Sequence, residues 1–313
     1  MNKAIGIPPY LLKQFDNINL GVKSIDEITL RDTKSVAIFS DYGADNADFD
    51  VFAHFIVDWN VCGELVKALK EVKKKHNIAE RTIDYKGRKD KLKKAALKEW
   101  MQTIESFPGH IHVLAYDKRF DNEDKVLNIR RENKQDLLKL GFNDDKILVY
   151  ERMAKNLSFF RIISKLLKQK HKVAWVSDHD TIFDTELRRT VLLNSLSQLV
   201  GDSMTEEKIE ALSFLTPFEK TADNQELNEV FNELLSVADI AASSFAASLH
   251  YDQTQLLGCP DEETVQIIDG LLGMGHLHKR KNLSSINVTI LRLDYYKSTG
   301  EPFLRQASLD IVE

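Results

Sequence analysis

The chain has 313 residues, 43% of them hydrophobic and 29% charged, with a formal net charge of −5. That balance fits one large globular domain or two modest ones, and it removes any global electrostatic argument for a nucleic-acid or membrane partner. Cys62 and Cys259 stand far apart without metal-ligand spacing. We therefore expect reduced, buried thiols and a cytoplasmic location; no secretory leader pattern opens the sequence, and no membrane span is expected.

Residues 1–30 read as an arm laid on the domain, broken early by Pro8-Pro9. Residues 34–58 read as a β-hairpin: an apolar run Ser35-Val-Ala-Ile-Phe-Ser-Asp41, a polar turn from Tyr42 to Asp48, and a return from Phe49 to Asp58. A helical pattern over 60–76 precedes a short strand candidate, Arg81 to Lys86. Lys89 to Phe107 is a basic amphipathic helix stopped by Pro108-Gly109, and His110 to Asp117 alternates as a strand does. Helical stretches near 130–140 and 155–170 lead to a second apolar run, Lys172-Val-Ala-Trp-Val-Ser-Asp178. The pattern from 184 to 222 is helical with a break at Pro217, and Gln225 to His250 is a long helix of small and apolar residues. A helix over 261–273 and a hairpin from Ser285 to Ser308, turning at Ser298-Thr299-Gly300, close the chain. A hairpin followed by alternating strands and helices implies an α/β fold, a mixed sheet flanked by helices on both faces.

Asp41 and Asp178 end apolar runs, and Asp239 sits inside the long helix. Carboxylates at strand exits stand on a rigid edge, and several brought together form a hard-oxygen site suited to Mg²⁺ or Mn²⁺. Each has a plainer reading. Asp41 and Asp178 suit turn-initiating or helix-capping residues. Asp239 lies on the inward stripe Leu235, Asp239, Ala242, Ala246, but equally on a polar stripe with Ser236 and Ser243. Asp84, in the strand candidate, and Asp117, before Lys118, are weaker candidates for the same metal. Lys86, Arg88, Lys89 and Lys93 stand in a longer basic run from Lys73 to Lys98, which suits phosphate contacts or a solvated helix face.

At these residues the chain resembles the bacterial family called domain of unknown function 3800 (DUF3800), a divergent branch of the RNase H-like fold. The matching segments are Ser40-Asp41-Tyr42-Gly43, Asp84-Tyr85-Lys86, Tyr116-Asp117-Lys118, Val176-Ser177-Asp178 and Leu235-Ser-Val-Ala238-Asp239-Ile-Ala-Ala, spanning about 34–250. The family's Glu after the first Asp is Tyr42 here, and its Gln before Ala-Asp is Ser236.

The resemblance implies an RNase H-like domain over 31–250 with a helical insertion near 184–222. An N-terminal arm over 1–30 and a C-terminal helix-plus-hairpin extension over 251–313 flank it. It implies metal-dependent phosphodiester hydrolysis by Asp41, Asp178 and Asp239, nucleic acid as a partner, and a place in bacterial defence (phage defence included) or a mobile element. Two alternatives stand beside it. Tyr42 suits a catalytically inactive RNase H-like subunit that serves a protein partner. Asp178-His-Asp180-Thr resembles the first motif of haloacid-dehalogenase-type phosphatases, with Asp178 as nucleophile and Asp180 as acid/base, although the usual Gly after Asp180 is missing. His110 and His112 share one face of a strand, where structural histidines are expected over a zinc site.

Overall fold

The computed structural model describes residues 30, 33–139, 142–167, 170–177, 209–215, 225–252, 255–258, 261–276 and 283–307. Seven strands form one mixed sheet. The chain runs β1 (Ser35–Asp45), β2 (Phe49–Asp58), helix α1 (Cys62–Lys75), α2 (Lys91–Glu105) and β3 (Gly109–Asp117). It continues through α3 (Asp124–Lys139), α4 (Asp144–Leu166), β4 (His171–Ser177), β5 (Ile209–Leu215) and α5 (Gln225–Ser248). A small hairpin, β6 (Leu249–Asp252) and β7 (Gln255–Gly258), precedes α6 (Glu262–His276), β8 (Leu283–Tyr295) and β9 (Pro302–Ala307).

The sheet order is β5-β4-β1-β2-β3-β8-β9. β1, β2 and β3 form an antiparallel meander, β4 joins β1 in parallel, and β5 joins β4 in parallel. That β3-β2-β1-β4-β5 core is an α/β mixed sheet flanked by helices, as expected. The C-terminal hairpin extends the sheet itself: β8 pairs in parallel with β3, and β9 returns antiparallel.

β2 and β3 are buried along almost their whole length, which explains their near-continuous apolar runs. Val36, Ile38, Phe52, Ile56, Leu114 and Tyr116 face α3 and α4. Ala37, Phe39, Ala53, Phe55 and Val113 face α1, α2, α5 and α6. α5 lies along β1 in the same direction. Phe231, early in the helix, stacks edge-on to Phe39 at 6.4 Å, and the Asn46 amide beyond β1 donates to the Ala246 and Leu249 carbonyls. α5 is long and apolar enough by length and composition to cross a membrane, but 72% of that window is buried in the protein.

Three segments differ from the sequence reading. β1 continues past Asp41 to Asp45 through an irregularity between Asp41 and Ala44. Residues 81–86 form no strand: they open a loop closed by turns, Arg88 N donating to Tyr85 O and Asp90 N to Gly87 O, before Asp90 caps α2. Ile209–Leu215 is strand β5, not part of a helical insertion, because parallel pairing with β4 offers its backbone a ladder. The remainder of 184–222 and the arm at 1–29 lie outside the described residues.

The face under α4 carries buried histidines. His54 and His112 pair across β2 and β3, and His110 stacks on His112 at 6.1 Å. His54 also meets the Phe159 ring of α4 at 4.9 Å. Burial holds His54 down at about 3; His112 is likewise held well below its ordinary range by burial and by the neighbouring His110 and His54. Both rings are therefore neutral in the folded protein at neutral pH.

A histidine with a depressed folded pKa stabilises fully above its unfolded value near 6.5. That contribution is lost as pH falls, because the unfolded chain takes up the proton first. Urea unfolding between pH 6.5 and 5 should show stability falling by about 1.4 kcal/mol per pH unit for each of the two rings. His54→Phe should remove one ring's share; an unchanged slope in that variant would contradict the assignment.

Candidate functional site

Asp41 extends the central strand. Its neighbour Ser40 pairs with His54 on β2 and with Ser177 on β4, and Asp41 itself sits opposite Ala53. Strand alternation places Asp41 on the same face as Ala37 and Phe39, the face that α5 covers. Asp178 follows Ser177 directly in sequence and, with Asp180, lies outside the described residues. The phosphatase-type alternative rests on those two positions.

Asp239 lies on α5, half-buried. From the Phe39–Phe231 contact it is roughly 12 Å further along the helix, and Asp41 is roughly 7 Å further along the strand. The two acids therefore occupy neighbouring levels of one helix–strand contact. Asp239 accepts from Tyr85 N at 3.3 Å and from Ser243 Oγ at 3.1 Å. Burial raises its pKa above the ordinary carboxylate value; Tyr85 and Ser243 oppose that, Asp84 adds to it, and Lys86 draws it back. Asp239 lies between the two stripes: it is half-buried, and Ser243 one turn on is its hydrogen-bond partner.

Asp84 reaches the neighbourhood of Asp239 from the loop, but its own oxygens are engaged. Lys93 Nζ lies 2.9 Å from Oδ2, and Gly87 N donates to Oδ1 at 2.5 Å. A Cβ at Gly87 would meet Lys93 Cδ at 2.5 Å, so any larger residue there would displace the end of that lysine side chain. Asp117 is not with these acids. It is fully buried four residues beyond Val113, whose level is that of Ala53 and Asp41. That is a separation of about 13 Å along the strand. Arg119 grips both Asp117 oxygens at 2.7–3.1 Å, and Leu293 N donates to Oδ2 at 3.0 Å. Asp117 ties the end of β3 to β8.

The basic residues divide in the same way. Arg88 pairs with Asp261 at 2.9 Å and lies 4.3 Å over the Tyr85 ring, and Lys89 stands 3.4 Å from Asp261. Lys93 belongs to Asp84. Lys86 is exposed on the loop, close enough to Asp239 to act on its ionisation. Asp261, held well below its ordinary pKa by Arg88 and Thr264, also accepts from Thr264 N in the first turn of α6, so it binds that helix to the loop.

A second charged centre, on the opposite face, escaped the sequence reading. Lys155 of α4, 3% exposed at its side chain, lies 2.6 Å from Asp50 and 2.5 Å from Asp121. Its ammonium sits 4.0 Å over the Tyr116 ring, and Tyr116 Oη donates to Asp121 at 2.9 Å. Burial alone would neutralise Asp50 and Lys155. Lys155 outweighs it at Asp50, and Asp121 with Asp50 outweighs it at Lys155, so this pair stays ionised. Its members come from three distant segments with no motif spacing, so only the fold discloses it.

Among the described residues, no group of three His, Cys, Asp or Glu gathers closely enough to hold a metal ion. No family model, curated protein or solved structure matches this chain.

Two stability outcomes follow. Because burial raises the Asp239 pKa, its ionised form weakens the fold as pH rises through the folded value. Asp239→Asn should therefore melt higher than the parent at pH 7, and a lower Tm would mean that the carboxylate stabilises the fold. Lys155→Met takes the buried cation from Asp50 and Asp121, leaving Asp50 only the half-exposed Lys118 at 3.5 Å, and should cost about 3–5 kcal/mol in denaturant unfolding. A loss below 1 kcal/mol, the scale of an exposed ion pair, would show that the cluster is solvated.

Proposed function

We propose that this protein is a divalent-metal-dependent phosphodiester hydrolase of the DUF3800 type, with Asp41, Asp178 and Asp239 as its metal-binding carboxylates. The observation that carries the reading is Asp239: a half-buried acid, its pKa raised, on the helix that covers the strand face bearing Asp41. A carboxylate kept in such a place at a cost to stability is a functional candidate.

The donor chemistry fits Mg²⁺ or Mn²⁺, which take hard oxygen ligands. The set is smaller than the sequence suggested, since Asp84 and Asp117 have their oxygens committed to Lys93 and Arg119. Asp178 is needed to complete it. A bound divalent ion supplies an activated water and charge neutralisation at the leaving oxygen of a phosphodiester. The chain's own contribution is to fix the acids. β1 holds Asp41, the Tyr85 N–H and Ser243 hydroxyl orient Asp239, and Asp84 with Lys93 and Gly87 shapes the loop that presents Tyr85. Lys86, exposed beside Asp239, is the basic residue best placed to meet a substrate phosphate. Nucleic acid is the expected partner, and a role in bacterial defence or a mobile element rests on the family resemblance.

Thermal melting with Mn²⁺ tests the metal reading directly. A competent site gains several degrees at saturating metal, and the gain disappears in Asp41→Asn and in Asp239→Asn. Cleavage of single- and double-stranded DNA, RNA and their hybrid with Mg²⁺ or Mn²⁺ should fall at least about a hundredfold in either variant. Metal-dependent stabilisation without cleavage of any of these would favour the inactive-subunit alternative. Neither effect would remove the hydrolase proposal.

A further inference from the structure

Four strands carry a polar side chain at one level of the sheet, on the face that α4 covers. His112 of β3 pairs with His54 of β2, His54 with Ser40 of β1, and Ser40 with Ser177 of β4. We propose that this row is an acid-sensitive latch: protonation of its histidines releases the middle of α4 from the sheet while the rest of the fold holds. The proposal does not depend on the hydrolase reading.

The row is closed and poorly hydrogen-bonded. All four side chains are buried, as is Asn156 of α4, one turn before Phe159 on the covering helix. Among the described residues, neither ring nitrogen of His54 has a hydrogen-bond partner, and His112 Nε2, Asn156 Oδ1 and Ser177 Oγ have none either. Ser40 Oγ accepts from the Trp175 indole at 2.7 Å. Aromatic rings seal the layer: Phe159 meets His54 edge-on, and Phe160 stacks on Trp175 at 4.5 Å.

The groups that face the two rings offer no counter-charge. Each ring meets the other, and His110 of β3 stacks on His112. β1 and β4 bring Ser40, Ser177 and Trp175, and β8 sets Asn287 opposite His112 in register. From α4 the nearest described charge is Lys155, itself a cation, held at the level of Asp50 and Tyr116 about 13 Å along the strands. His171 opens β4 about 20 Å before Ser177. No carboxylate contributes to the ionisation of His54 or His112. A proton on either ring is thus an unpaired buried charge, and displacing α4 is what gives it water.

The two helix layers are held differently. α5 lies close against β1, β2 and β3 on buried alanines, whereas α4 meets its face through large rings. Nearer its start α4 is tied by ion pairs: Lys155 holds Asp50 and Asp121, and Arg130 forks onto Glu151. Lys155 overcomes burial and keeps Asp50 ionised below the ordinary carboxylate range, so that tie outlasts the histidines as pH falls. Acid therefore frees the stretch from Asn156 onward first and leaves the Lys155 end attached. The rings are neutral with α4 seated and titrate normally once it is released. Each ring then multiplies the released population about tenfold per pH unit below about 6.5, and the two together about a hundredfold.

Hydrogen–deuterium exchange of the full chain from pH 7 to 5, corrected for the intrinsic pH dependence of exchange, tests the latch. Peptides covering 156–166 should gain opening by about a hundredfold per pH unit, reversibly, while α5 keeps its protection. His54→Phe should cut that response to about tenfold per unit, and His54→Phe with His112→Phe should abolish it. In the parent, joint loss of protection by α4 and α5 shows global acid unfolding and overturns the proposal without any variant. Exchange of α4 that ignores pH overturns it too, as does a response that persists in the double variant.

Discussion

The packing of α5 along β1 and β2 is the contact on which the rest of the molecule depends. Ala238, Ala241 and Ala242 are fully buried at that contact, so the helix backbone lies close to the sheet with little side chain between. At its start, Phe231 fills the space beside Phe39; at its end, Asn46 fastens the helix carbonyls to the β1–β2 turn. A helix seated so closely makes every inward residue a core residue. Asp239 sits half-buried at the margin of that contact, and its level on the helix follows from the same apolar packing that forms the core.

Around that contact the two sheet faces are built differently. The α5 face is mostly apolar in its interior, apart from the buried Lys73–Glu233 pair, and other polar groups gather at the loop over residues 82–90. There Asp84 holds Lys93, Arg88 holds Asp261, and the Tyr85 hydroxyl meets Thr264 at 2.7 Å. The loop braces α2, α5 and α6 together, and the Tyr85 N–H that reaches Asp239 is part of the brace. The α4 face buries more of them: the neutral histidines in its middle and the Lys155 ion-pair cluster at one end. Neutralisation by desolvation governs the first group, and ion pairing governs the second. The candidate acidic site and the Lys155 cluster thus lie on opposite sides of one sheet, each framed by its own helices.

Much of this was legible in the sequence because the relevant signals are local. The β1–β2 hairpin shows as two apolar runs around a polar turn, β3 as alternation ended by Asp117, and α5 as a small-residue helix. The errors have physical sources. Thr82-Ile83-Asp84-Tyr85 looks like a strand, but Ile83 alone is buried, and Asp84 spends its side chain on the Gly87 N–H of a turn. Ile209 to Leu215 contains Glu, Ala and Leu, all helix formers, yet an open edge beside β4 outweighs propensity. Asp117 ends a strand as Asp41 does, and only the 3-10 turn that folds Arg119 back onto it reveals an anchor. The Lys155 cluster joins residues 105 and 34 positions apart, a separation that no motif encodes.

Two acids on α5 make the strongest internal comparison. Glu233, deep in the core, is fully provided for: Lys73 of α1 lies 2.6 Å from one oxygen, and the Trp100 indole donates to the other at 3.4 Å. Its charge is part of the packing, a link between α1, α2 and α5. Asp239, six residues later, receives a backbone N–H and a hydroxyl, and its closest charged neighbours pull in opposite directions. The same helix, pressed on the same sheet, therefore compensates one carboxylate with a buried cation and gives the other only neutral donors and an exposed lysine. Packing alone explains Glu233. It does not explain an ionisable group at Asp239, where Asn would keep the Tyr85 contact at lower electrostatic cost. The proposed divalent cation would supply that missing counter-charge, on the strand face that bears Asp41.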